Sequence, residues 1–500
     1  MAKILRRTIN RSSPPSTGST PSKVFRSFLD KRAHKDYGDY SIYVNEERAF
    51  SGDVDGLKPV ARRLLWTAYE IEKARSTSKY IKSARITASC MGHFHPHGDP
   101  YGALVTMANM SEPLIDGQGN FGFWDDPPAA NRYTEARLSK FAEKIFFDPF
   151  YLPVMETCLN YDDVEREPVQ LPALLPNLLI NGNNGIGVGF ATFTPSFTVA
   201  SVAKLLKVVL ARNAPCTAGL AAKYLEFNVK TGGEEIIETD EQKQELFRFF
   251  KTGKGRVNFR SIGKLDGRNL SITGFAPFTS MERAIERTIE MNQVALATDT
   301  SNVKQRSGSA LVKLKGSVNG MDVEKVKDGI LNGSFGASHS YDFKFTVRYK
   351  NGDDVVSRLR DWPLPKLVDH WLEYRLELEK KACQYWIEQV EREISRLELL
   401  RLAIKHLDYI IGLIRSKNPK YTRDEIKAKL VARMKISLDD ADYIIHRELI
   451  QLSALEDDSL VAKIEEKRGE RNGYVLRKKS PEKYLPGQID SLLKSLSVKS

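Results

Sequence analysis

The chain has 500 residues, 41% hydrophobic and 28% charged, which is too long for one core and predicts about three domains. No apolar run approaches the roughly 20 residues that span a bilayer, so a membrane protein is not expected. The 76 Lys plus Arg against 64 Asp plus Glu leave a formal charge of +12, a field that favours polyanions, nucleic acid first among them.

The opening "MAKILRRTINRSSPPSTGSTPSKVF" is rich in Ser, Thr, Pro and basic residues and holds no acid. It predicts a disordered basic tail over 1–25, with an organelle transit peptide as the alternative. Helical signals dominate 26–160: "VARRLLWTAYEI" repeats apolar residues at helical spacing, with Arg62 and Arg63 on another face. A Gly-rich excursion, "LIDGQGNFGFWDDPPAANRY", then interrupts the helices, an order that suits a winged-helix type of module. Over 161–361, β-type runs such as "RVNFRSIGKL", "LSITGF", "SALVKLKG" and "DFKFTVRY" alternate with helical "SMERAIERTIEMN", as in a mixed α/β domain.

From 362 to 478 the pattern is a long coiled coil. Cys383, Ile387, Val390, Ile394, Leu397, Leu400, Ile404, Leu407, Ile411 and Ile414 recur at spacings of four and three, slipping once near Leu400. After the break "SKNPKY", Thr422 with Glu425 and Ser437 with Asp440 predict two capped helices. A helix from Leu460 then runs back along the first, making an antiparallel arm with a knob from Pro419 to Leu455. Tyr443, Ile444, Leu449 and Leu452 on that knob are candidates for a dimer contact, with core packing the plainer reading. Residues 479–500 read as a linker plus a short amphipathic helix.

Several clusters could carry chemistry. "GHFHPHGDP" gathers three of the eight histidines, His93, His95 and His97, before Asp99. A two-metal hydrolase pattern would need a further His where Pro100 stands, and nothing else completes a coordination sphere. The other reading is a polar patch for phosphate, flanked by Lys82, Arg85 and the Gly98 hinge. "ERAFSGDVDGLKPVARRLL" adds Arg48, Lys58, Arg62 and Arg63 around a loop-to-helix start, suited to backbone phosphates, with a solvated charged face as the bland alternative. Asp53 and Asp55 hint at a calcium loop that lacks its closing bidentate acid. Neither "DGQGNFGF" nor "KTGKGR" has P-loop spacing, so no ATP site is visible. The four cysteines, Cys90, Cys158, Cys216 and Cys383, lie far apart and point to reduced thiols in a cytosolic setting.

Tyr133, one of 19 tyrosines, sits in the polar "AANRYTEARLS" directly after Arg132. A phenol is mostly protonated at neutral pH and needs neighbouring positive charge or a metal before it can attack a phosphodiester. Arg132 suits the charge that builds on the phosphoryl oxygens of such a displacement.

Together, "RAFSGDVDGLKPVARRLL", "KSARITASCMGHFHPHGDPYGAL", "LIDGQGNFG", "AANRYTEARL" and "LPNLLINGNNGIGVGFAT" resemble the breakage-reunion subunit of type IIA DNA topoisomerases, the gyrase A and topoisomerase IV A family. The resemblance implies a multidomain, mainly α protein with α/β parts. These would be a winged-helix DNA-cleavage domain, an α/β tower domain, and a long antiparallel coiled coil with a dimerisation gate. It implies Tyr133 as the nucleophile forming a 5′-phosphotyrosyl link and Arg132 as its transition-state partner. Arg48, Lys58, His95 and His97 would hold the scissile phosphate region, with Lys82 and Arg85 beside them on DNA. Arg62 and Arg63 would lie on the recognition helix, and Ile186 would be the apolar wedge that bends the duplex.

The resemblance also implies a homodimer joined in a heterotetramer by a B-type subunit. That partner would supply ATP hydrolysis and the main Mg2+ ligands, with no metal site in this chain. Ala61 stands where a His is common, and Pro100 and Leu104 replace a small hydroxyl and an acid, so quinolone sensitivity is not implied. No C-terminal β-pinwheel follows the coiled coil, which favours relaxation or decatenation over active supercoiling. The compact form is similar to phage-encoded proteins that work in a host cytoplasm. The rivals are a non-catalytic DNA-binding or architectural protein and, last, a metal-dependent hydrolase built on the His cluster.

Overall fold

Helix α1 (Leu29–Val44) opens the part of the chain that the structure, a computed structural model, describes. Described are residues 29–123, 126–302, 307–318, 320–352, 354–416, 421–445 and 457–497; the predicted basic tail lies outside them. These divide into two compact units, one holding the chain up to Arg375 together with Pro486 onward, the other Leu376–Leu485.

In the first unit α1 runs into a wider, π-type turn at Asn45–Ala49. The loop Ser51–Leu57 that follows is buried throughout, though it carries two aspartates. It can be buried because its polar groups are spent locally: the Asp55 carboxylate accepts from the Leu57 and Leu171 amides and from Arg62. Gly56 has φ 64°, and a Cβ there would meet the Leu178 amide nitrogen at 2.3 Å, so glycine is required. Helix α2 (Pro59–Trp66) starts on a proline, whose missing N–H costs nothing at a first helical position, and buries Ala61, Leu64 and Leu65.

Strand β1 (Ile81–Lys82), helices α3 (Ser83–His93) and α4 (Tyr101–Ala108), and strands β2 (Ile115–Gln118) and β3 (Glu135–Leu138) follow. The three strands form an antiparallel sheet in the order β1-β3-β2, with Ile81 opposite Ala136 and Ile115 opposite Leu138.

The mixed region is built from small antiparallel sheets. After the β4 (Thr157–Leu159) and β5 (Arg166–Pro168) pair comes the hairpin β6 (Asn183–Ile186) and β7 (Ala191–Thr194). Next are β8 (Glu234–Ile236), β9 (Lys254–Arg260), β10 (Ile262–Asp266), β11 (Asn269–Gly274), β12 (Val294–Asp299), β13 (Ala310–Leu314), β14 (Ala337–Asp342), β15 (Phe345–Asn351) and β16 (Asp354–Arg360). One sheet has the order β6-β7-β14-β9-β8 and another β10-β11-β13-β12. The predicted β runs lie on β9 with β10, β11, β13 and β15, and helix α5 (Met281–Ile289) covers "SMERAIERTIEMN", capped by Ser280. β11 shows why its run was readable: Leu270 and Ile272 point into the core while Asn269, Ser271 and Thr273 point out.

The second unit is the arm. Helix α6 (Leu364–Lys405) leads into it and is followed by α7 (Leu407–Arg415), α8 (Arg423–Met434), α9 (Leu438–Ile445) and α10 (Asp457–Lys479), with α11 (Pro481–Ser495) after them. α10 runs antiparallel to α6: Arg477 pairs with Glu379, Arg471 with Glu391, Lys467 with Glu393, Arg468 with Glu398, and Arg401 with Asp457. Val390 and Ile394 pack on Ile464 between them. Both expected caps form, as a full capping box at Thr422–Glu425 and a Ser437–Asp440 pair.

Two expectations for this unit need correction. The helix is interrupted at His406, and the restart shifts the buried face, so Ile410 and Leu413 are in the core while Ile414 is exposed. Ile444 is buried inside the knob's own core with Leu430, Met434 and Ala441, and is therefore spent there rather than offered to a second copy. Leu449 and Leu452 lie outside the described residues. No helix among the described residues is long and apolar enough to cross a membrane.

Candidate nucleic-acid interface

Tyr133 ends a short turn just before β3, and its side chain is 66% exposed. The turn is held from below. The Tyr133 amide donates to the Ala130 carbonyl, and the Ser83 and Ala84 amides at the start of α3 donate to the carbonyls of Thr134 and Asn131. The buried Thr134 hydroxyl bonds to the hydroxyls of Ser83 and Tyr101, and Tyr101 donates to the Ala129 carbonyl. Asn131 donates to Asp99, two residues past His97, tying the tyrosine turn to the histidine segment. A rigid footing thus carries an outward phenol, and the Arg132 guanidinium lies 4.7 Å from its ring centroid. Arg132 is exposed and has no carboxylate in ion-pair range among the described residues.

A second group forms around the Asn45–Ala49 turn. Arg48 is exposed there. His95 and His97 have ring centroids 5.2 Å apart, and His97 Nε2 is 2.9 Å from the Tyr43 hydroxyl. Burial, then the nearby charges of Arg63, His97 and Arg48, push His95 down to about 4, so its imidazole is neutral at physiological pH. The β6–β7 hairpin is fastened beside them: Asn45 donates to the Val188 carbonyl and accepts from the Val188 amide. Lys58 donates to the Asn184 carbonyl at 2.7 Å, and burial lowers the pKa of its ammonium. At the end of β6, Ile186 is 84% exposed, an apolar side chain aimed at solvent from a clamped hairpin.

Arg48, Lys58, His95, His97 and the Ile186 hairpin are therefore brought together, with Tyr133 and Arg132 on their own turn. Among the described residues Tyr133 makes no side-chain contact with that group. The expectation for Arg62 is corrected. Its guanidinium is buried and bidentate on Asp55, so it builds the loop and does not face a ligand. Arg63 is likewise spent, forked on Glu167 at 2.6 and 2.7 Å. Lys82 and Arg85 are exposed; Lys82 pairs with the half-exposed Glu135, where exchange for a phosphate is cheap, whereas Arg85 is held by the buried Glu72, which its loss would leave unpaired. His93 leaves the cluster for Glu165. Asp53 pairs with His370 and Asp55 with Arg62, so neither is set in a calcium loop. Among the described residues no group of three or more His, Cys, Asp or Glu side chains is placed to hold a metal ion.

Tyr101, Asn45 and Asn131 were not singled out from the sequence. Their roles rest on partners 28 to 143 residues away, which no local pattern signals.

A family model for the A subunits of DNA gyrase and topoisomerase IV matches residues 48–490. The chain is 31% identical over 453 residues to the A subunit of DNA topoisomerase 4 from Pseudomonas aeruginosa, covering 89% of this chain and 58% of that one. It is 30% identical over 473 residues to the A subunit of DNA gyrase from Haloquadratum walsbyi, covering 89% and 52%. The chain that carries an outward tyrosine on a braced turn and, separately, a basic patch with a clamped apolar tip thus has the architecture of a type IIA topoisomerase A subunit. The chain belongs to the family of DNA gyrase and topoisomerase IV A subunits. It spans a little over half the length of these curated relatives.

Proposed function

We propose that this chain is the DNA-cleaving and religating subunit of an ATP-dependent type II topoisomerase, acting as a homodimer with a B-type partner. The observation that carries the reading is the exposed Tyr133 on its braced turn, with Arg132 against its ring. In the cleavage step the phenol oxygen forms a bond to phosphorus and gives up its proton. The bond from phosphorus to the 3′ oxygen breaks, that oxygen takes a proton, and the 5′ end stays on Tyr133. The reverse step reseals the strand without ATP. Arg132, with no carboxylate in range among the described residues, can neutralise charge on the phosphoryl oxygens. Arg48 and His97 grip neighbouring phosphates, while neutral His95 offers a hydrogen bond rather than a charge.

Ile186 would enter between base pairs and bend the duplex. Helices α2 to α4 with their three-stranded sheet serve as the winged-helix cleavage module, the small sheets as the tower, and the arm as the exit gate. Mg2+, held mainly by the partner subunit, would supply charge stabilisation at the cleaved phosphate. The partner would hydrolyse ATP, and the outcome would be relaxation or decatenation.

The test is a denaturing cleavage assay on supercoiled plasmid with Mg2+, with and without a candidate B-type subunit. Linear DNA carrying protein on its 5′ ends is expected with the parent chain and partner. Tyr133→Phe should abolish that product and keep DNA binding. Undiminished cleavage by Tyr133→Phe removes the assignment, and identical behaviour of both chains without any covalent product favours a DNA-binding scaffold.

A further inference from the structure

A cavity of about 820 Å3 lies in the first unit between the α2–α4 region and the β6–β7 sheet. Its lining includes Lys58, Asn184, Thr106, Lys230 and Phe278, and not one Asp or Glu. In a chain with 64 acids that is a marked bias toward an anionic occupant. Glu112, whose carboxylate feels the charge of Lys230, stands outside the lining.

Phe278 is the odd residue of the rim. It is 72% exposed and has φ 57°, a left-handed backbone that a bulky side chain adopts only under constraint. The constraint is visible. His339 Nε2 donates to the Pro277 carbonyl, and the Phe278 ring packs on Phe193 and His339 with centroids 5.3 and 5.4 Å away. Phe193 lies opposite Asn184 in the hairpin, and Ile186 is two residues further along the same strand. Strand alternation therefore puts Ile186, Asn184 and Phe193 on one face, and Phe278 is stacked onto that face. Two residues along a strand are about 7 Å, so Ile186 stands roughly two base steps along the strand from the Asn184–Phe193 pair onto which Phe278 is stacked.

We propose that the duplex bent at Ile186 continues over this acid-free cavity and meets Phe278 as a second apolar wedge against its base stack. The proposal rests on the DNA reading above. Lys58 and Lys230 are the charged residues of the lining, each donating to main-chain carbonyls, and a polyanion over the cavity meets no carboxylate in that lining. The backbone strain at Phe278 is the cost of keeping an aromatic ring turned outward instead of folding it into the aromatic cluster beneath.

The experiment uses the full chain and a short duplex labelled at both ends, reading affinity by anisotropy and bending by energy transfer. Phe278→Ala is expected to weaken binding about tenfold, within the range for losing one aromatic–base stack, and to reduce the bend. Its salt slope should stay unchanged because no charge is removed. Phe278→Trp should retain both affinity and bend. Phe278→Gly relieves the backbone, so it is expected to hold or raise Tm while losing the same affinity, a combination that a packing role would not give. Ile186→Ala is the control for the DNA reading itself. Parental affinity and bend in Phe278→Ala, alongside loss of bend in Ile186→Ala, would overturn the second wedge and leave the first intact. No binding by the parent chain would overturn both.

Discussion

Arg62 and Arg48 look alike in sequence, two basic residues flanking one loop, and the structure separates them completely. The Arg62 side chain is 3% exposed and shares Asp55 with two backbone amides, whereas Arg48 is exposed beside His95. Removing one partner of a buried pair leaves the other charged and dry, so Arg62→Ala is expected to cost about 3–5 kcal/mol, read as a fall in the denaturant midpoint. Arg48→Ala should leave that midpoint in place and lower the salt slope of DNA binding by about 0.9, one phosphate's worth. A stable Arg62→Ala, or a salt slope that Arg48→Ala does not move, would reverse these assignments. Tyr133 and Ile186 could be singled out as candidates from the sequence because each stands inside a specific motif, which needs no distant partner to be noticed. The burial of Arg62 was not, since Asp55 also needs the Leu171 amide, 116 residues away.

At the scale of elements, the hairpin β6–β7 shows how a loop becomes an instrument. Asn45 grips Val188 from both sides, and Lys58 holds Asn184. A Cβ at Gly185 would come within 2.3 Å of the Ala49 carbonyl oxygen, a backbone atom that cannot swing aside. Gly185→Ala should therefore lift the hairpin from the Asn45–Ala49 turn, speed hydrogen exchange across 183–194 and lose DNA bending, while the arm keeps its protection. Unchanged exchange there would mean that the turn yields instead. Strand alternation and the caps were readable because both are local: Thr422 needs only Glu425, and Leu270 with Ile272 only a period of two. The coiled-coil seam was readable as far as Leu400. Beyond it the break at His406 reset the helical phase, and a periodic reading carried past a break assigns the wrong face.

The molecule as a whole is two compact units on one chain, with the first holding the residues proposed to work on DNA and the second built around an extended pair of helices. Units with separate cores are expected to unfold separately, giving two heat-absorption transitions in calorimetry. One transition, with calorimetric and van't Hoff enthalpies equal for the full chain, would show them to be a single cooperative body. The rungs between α6 and α10 have a direction. Glu379, Glu391, Glu393 and Glu398 all stand on the outgoing helix and face Lys or Arg on the returning one. A ladder of uniform polarity reads nearly the same after the helices slide past each other by one turn. Arg401 and Asp457 break that uniformity, with the base outgoing and the acid returning. A slide would carry Arg401 off its acid, so this inverted rung works as an index mark that sets how far the two helices travel.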